Sequence, residues 1–131
     1  MLALDTNVLV RYLAQDDAKQ SAAATRFIEQ RLGPTDRGFV SLVTLLEAVW
    51  VMESRYAADA VLVAGILSDL LETASLEVQD AGAVRAALQL YREGGVDLHD
   101  CLIVSLAAQR KARVMTFDTQ AAKRLGMELL R

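Results

Sequence analysis

Short apolar runs and longer amphipathic stretches alternate along this chain, and the alternation sets out an order of strands and helices. Residues 2–4 read as a strand and 6–14 as a helix. A second helix opens at the Asp16-Asp17 cap and stops near Gly33-Pro34. Residues 38–41 form the next strand. From 42 to 56 the apolar residues come too densely for one face. Val43, Leu45, Leu46, Ala48, Val49, Trp50, Val51 and Met52 surround the axis, which predicts a helix buried on more than one side. The pattern then predicts a helix over 59–73, a strand over 76–78, and a helix over 81–92 closed by Gly94-Gly95. A helix over 97–111, a strand over 113–117, a short helix over 119–125 and a last strand over 127–130 complete the order. Such alternation implies a mostly parallel sheet covered on both faces, an α/β fold.

Composition narrows the picture. A chain of 131 residues, 53% hydrophobic and 24% charged, has the makeup of one globular domain, and a single domain over 1–131 is expected. One proline and seven glycines leave no room for a long linker. The one cysteine, Cys101, excludes an internal disulfide and, with one histidine, a zinc cluster; it fits a reducing, cytoplasmic setting. No basic leader precedes Asp5, so no secretory signal is expected. The longest apolar run, residues 60–67, is too short to span a membrane. The net charge of −3 decides little, because acids gathered round a cation would leave the rest of the surface less negative.

The acids carry the chemistry. Asp5 follows the first strand and Asp118 follows the strand over 113–117, each with a threonine beginning the next helix. Ligand sites of open α/β sheets lie at such strand ends. Capping of the helix is the alternative role for Asp5. Glu47 falls inside the most apolar helix, where a solvated face is hard to see. Asp97 and Asp100 open another helix, and capping and the helix dipole account for both without a ligand. Our division gives the cap to Asp97, with a supporting or water-mediated role, and the primary ligand role to Asp100. Acids held at places where an unpaired charge is costly point to a shared cation. Thr6, Thr116 and Thr119 stand beside strand-end acids, where a hydroxyl can orient a carboxylate, a water or a phosphate oxygen, or simply close a turn. His99 is given no role, Cys101 a place in the core, and Trp50 packing or an interface.

With these residues in view, the chain resembles the PIN-domain ribonucleases, and within them the VapC-like toxins of toxin-antitoxin pairs. The likeness is carried by Leu4-Asp5-Thr6-Asn7-Val8-Leu9, by the stretch Val40-Ser41-Leu42-Val43-Thr44-Leu45-Leu46-Glu47, by Asp97-Leu98-His99-Asp100-Cys101-Leu102-Ile103, and by Thr116-Phe117-Asp118. The resemblance implies a three-layer α/β/α sandwich and an acidic pocket that holds Mg²⁺ or Mn²⁺ and hydrolyses RNA by a metal-activated water. It matches Asp5, Glu47, Asp100 and Asp118 to the family's acidic quartet and Thr6 to its small hydroxyl residue. The flanks of Asp100, His99 and Cys101, depart from the small residues common in relatives and bear on pocket width. Hard oxygen ligands suit both metals, and the absence of a Ser-His or Cys-His arrangement agrees with chemistry that needs no nucleophilic side chain.

Two other readings compete. A haloacid-dehalogenase-like phosphatase wants a second Asp two residues after the first, and Asn7 stands there. A degenerate PIN scaffold that binds RNA or protein without turnover would have lost quartet acids, and all four are present. For RNA binding, Arg11, Lys19, Arg37, Arg110, Lys111 and Arg113 are the candidate cationic rim, although solvated surface charge explains each one singly. The apolar surplus of residues 42–52, with Ala60, Val61, Val63, Ala64 and Leu67 soon after, suggests a partner surface. By resemblance, the expected partners are a second copy of the chain and an antitoxin segment laid over an apolar groove.

Overall fold

The structure, a computed structural model, describes all 131 residues and divides into two compact units, Met1–Ala81 and Gly82–Arg131. In the first unit, β1 (Leu2–Ala3) leads into α1 (Thr6–Ala14) and α2 (Ala18–Arg26). Next come β2 (Gly38–Val40), α3 (Leu42–Arg55), α4 (Ala60–Glu72) and β3 (Leu76–Val78). Its sheet runs in the order β1-β2-β3 and is parallel throughout, with Gly38 opposite both Leu2 and Leu76. Parallel neighbours need helical crossovers, and the helix pairs α1/α2 and α3/α4 supply them.

Helix starts follow the polar residues that precede them. The carboxylate of Asp17 accepts the Gln20 N–H at 2.9 Å, that of Asp59 accepts the Leu62 N–H at 2.9 Å, and the Ser41 hydroxyl accepts the Thr44 N–H at 3.1 Å. Of the expected Asp16-Asp17 pair, only Asp17 caps. Asp16 instead pairs with Arg11 at 3.0 Å and accepts a hydrogen bond from the Tyr56 hydroxyl. The second helical stretch stops just before Gly33-Pro34 as expected, but its last turn widens into a π-helical one over Phe27–Arg31 that closes with the Leu32 N–H on the Phe27 carbonyl at 2.9 Å. The chain then has to leave the helical conformation before Pro34.

Leu9, Leu13, Val49, Met52, Val63 and Leu67 line a narrow void among α1, α3 and α4, which marks the centre of this unit's core. On α3 only one face is internal, that of Thr44, Leu45, Ala48, Val49 and Met52, so the expected burial on several sides is corrected. Val43 and Trp50 are 67% and 65% exposed, and with Glu47 and Ser54 they form an outer stripe at helical spacing. On α4, Val63, Ala64 and Leu67 are internal, while Val61 and Leu62 face outward.

The second unit holds nearly all of α5 (Ala81–Arg92), then α6 (Leu98–Gln109), β4 (Met115–Thr116), α7 (Thr119–Leu125) and β5 (Glu128–Leu129). Strands β4 and β5 pair in parallel, and α7 packs on both strands and on α6. The α/β class with parallel strands agrees with the sequence expectation, and no helix is long and apolar enough to cross a membrane.

The Tyr56–Asp16 bond ties the end of α3 to the α1–α2 turn and gives a pH-dependent contribution to stability. The Tyr56 hydroxyl first, and Arg11 second, hold the Asp16 carboxyl below its ordinary 3.8. A depressed carboxyl contributes stability above its unfolded value and loses it as pH falls through the folded value. Conversely, the bond to Asp16 raises the Tyr56 phenol above 10.0, so its contribution is lost only as alkaline pH passes the raised value. We expect Tyr56→Phe to lower the melting midpoint near neutral pH and to flatten its fall below about pH 4; parallel acid slopes in the two proteins would refute the assignment.

Candidate metal and phosphodiester site

Asp5 sits at the end of β1 as expected, but the strand is an exposed sheet edge. The capping role is real: one carboxylate oxygen accepts the Thr6 N–H at 2.8 Å, and the other oxygen stays available. Glu47 is exposed on the outer stripe of α3, which corrects the view that no solvated face could hold it: two of its apolar neighbours, Val43 and Trp50, are themselves outside. One turn before it, the Thr44 hydroxyl donates to the Leu4 carbonyl at 3.3 Å, anchoring α3 beside the residue that precedes Asp5. The burial argument for a shared cation does not hold for Glu47.

In the second unit three of the predicted acids come together. Asp97, Asp100 and Asp118 line one pocket of about 330 Å³, with Gly95, Val96, Gln120, Ala121 and Leu125 completing its wall. Asp118 caps α7 through one oxygen, which accepts the N–H groups of Gln120 at 2.8 Å and Ala121 at 3.2 Å. The Thr116 hydroxyl accepts the Asp118 N–H at 3.0 Å, so Thr116 holds the strand-end turn that presents the acid. Asp100 lies in the first turn of α6, half-buried, where the helix dipole favours a negative charge.

Asp97 departs from expectation. It occupies the N-cap position of α6 with extended backbone, φ −80° and ψ 145°, yet its side chain makes no capping bond. A cap of this type normally contributes about 1 kcal/mol. The carboxylate instead stands with Asp100 and His99 so that one ligand atom from each lies within 4.8 Å of the others. His99 Nε2 is 3.4 Å from an Asp100 oxygen, so the histidine to which sequence assigns no role belongs to the pocket's surroundings. Carboxylate oxygens as the main donors suit a hard divalent ion, and the residues present fit one.

The PIN domain family profile matches residues 2–126. The chain belongs to the PIN domain family. No individually curated protein matches it. The match covers strands and helices of both units and bears out the PIN-type α/β fold. PIN domains are typically metal-using nucleases acting on nucleic acids, and in this one Asp97, His99 and Asp100 form a group that could hold a metal ion.

Among the six basic residues expected to bind RNA, three are occupied. Arg11 is held by Gln20 and Asp16. Arg37 donates to the Leu76 carbonyl at 2.6 Å and faces Glu77 at 3.6 Å, a sheet-fastening role. Arg113 pairs with Glu128 at 3.2 Å. Lys19, Arg110 and Lys111 remain exposed and unpaired. Sequence reasoning misses Arg124, which lies four residues after Gln120 on α7 and so shares its face with a pocket residue. Cys101 is fully buried as expected, and burial, with the Asp100 charge second, pushes its thiol up to about 11. It stays protonated at neutral pH and offers no nucleophile.

Proposed function

We propose that this PIN domain is a Mg²⁺- or Mn²⁺-dependent endoribonuclease and the toxin of a toxin-antitoxin pair. The observation that carries the proposal is the pocket lined by Asp97, Asp100 and Asp118, in which an N-cap aspartate leaves its own helix uncapped and keeps its carboxylate free. Asp100 and Asp118 would hold the metal in this unit, and we assign Asp5 and Glu47 to the same chemistry on the resemblance of the sequences around them. When bound by these acids, a divalent ion would supply Lewis-acid chemistry, activating a water and offsetting charge on the phosphodiester.

The chain's own residues orient this chemistry. Thr116 fixes the backbone of Asp118, and Thr6 fixes one oxygen of Asp5 through its N–H. Asp97 serves as a supporting acid whose free oxygens can hold an ordered water. Lys19, Arg110 and Lys111 supply attraction for a polyanion that carboxylates alone would repel. The exposed apolar residues Val43, Trp50, Val61 and Leu62 support a homodimer surface, and the apolar groove beside Leu4, Val8, Ala24 and Phe27 supports antitoxin docking. On this reading residues 1–131 act as a single domain in the cytoplasm.

The purified protein is expected to cut labelled single-stranded RNA in Mn²⁺ or Mg²⁺, to stop on chelation, and to be inhibited by the product of a neighbouring antitoxin gene. Light scattering of the same preparation should give the mass of a dimer. RNA binding without cleavage in either metal would favour the degenerate scaffold, and a monomer at micromolar concentration would remove the dimer.

A further inference from the structure

The loop Gly94-Gly95 turns through two left-handed conformations, φ +80° and +75°, immediately before the acid-bearing start of α6. Glycine enters such conformations without strain. Gly95 has a second reason to lack a side chain, because a Cβ there would fall 2.3 Å from Nη1 of Arg124 and 3.0 Å from its Cζ. The guanidinium therefore lies against the Gly95 backbone, and Gly95 is itself part of the pocket wall with Asp97, Asp100 and Asp118.

Three carboxylates line that pocket, yet none pairs with Arg124, which makes no ion pair or hydrogen bond and is exposed. Its position on α7, one turn beyond Gln120 and Ala121, keeps it at the pocket's margin. An arginine seated on a backbone at the edge of an acidic pocket, with all its donors open, has the planar fork that fits two oxygens of a phosphodiester.

We propose that Arg124, seated on Gly95, grips an RNA phosphate next to the one presented to the acids and so sets the position of the strand in the pocket. The inference rests on the ribonuclease reading of the same pocket. Arg124 is a positioning residue, and its effect falls on substrate capture and alignment, not on the metal.

The test uses the full chain with a single-stranded RNA oligonucleotide. Arg124→Gln is expected to raise KM about tenfold or more, the loss of one charged contact, and to reduce the slope of log KM against log salt by about 0.7. Arg124→Lys should restore the salt slope but only part of KM, because an ammonium lacks the fork. Gly95→Ala, which keeps the charge and removes the seat, should raise KM as well. Because Arg124 is exposed, its substitutions are not expected to disturb folding, so they carry the test even where Gly95→Ala fails to fold. Anisotropy of a fluorescent RNA on an Asp100→Asn background measures the same contact without turnover. A parent protein that binds RNA but does not cut it overturns the ribonuclease reading alone. An Arg124→Gln protein that matches its parent in both Kd and salt slope overturns the inference.

Discussion

Asp100→Asn is expected to reduce RNA cleavage by at least about a hundredfold while leaving the protein folded. Substitution one step removed from a bound metal costs about 10–100-fold, and the half-buried Asp100 is assigned as a direct ligand, so its loss should lie at or beyond that limit. The amide keeps the size of the carboxylate but removes the charge that a hard divalent ion needs. Asp97→Asn should cost less, since the role proposed for it is supporting, and the contrast between the two variants is part of the expectation. Circular dichroism checks the fold, and initial rates at saturating Mn²⁺ check the chemistry. Parent-like cleavage by the Asp100 variant would show that the pocket is not the catalytic centre.

Gly38→Ala is expected to destabilise the protein by about 1–3 kcal/mol, the usual cost of overpacking a well-filled core. Gly38 lies in the middle strand of the three-stranded sheet, and a Cβ there would fall 2.6 Å from Cδ1 of Leu32 and 2.7 Å from Cδ1 of Leu4. Both leucines are buried, as is Leu76 on the facing strand, so neither can swing aside into solvent. Extended backbone can accept alanine, which confines the effect to packing. Urea denaturation measures it. A variant as stable as the parent would mean that the leucines repack freely around β2.

The order of strands and helices was legible because period and punctuation agreed: Asp17, Ser41, Asp59 and Asp118 all cap the helices they precede. Exposure was not. Around Glu47 the composition is apolar in every direction along the chain, but which of Val43 and Val49 faces water depends on tertiary packing that periodicity does not contain. The same limit hid Asp97, where an N-cap position is readable from sequence and the missing cap bond is not. Arg37 and Arg113 were drawn to the site by charge alone, and the Leu76 carbonyl and Glu128 that hold them arrive from distant sequence. Arg124 escaped because its signal is a distance to Gly95, a relation with no sequence period.

The buried Cys101 makes this chain a ready template for optical labelling. Its thiol is closed to solvent and protonated at neutral pH, so maleimide dyes should pass it by without any need to replace it. A Trp50→Cys substitution on the outer stripe of α3 would then carry a fluorophore at one defined place, and self-quenching between dyes would report when two copies meet there.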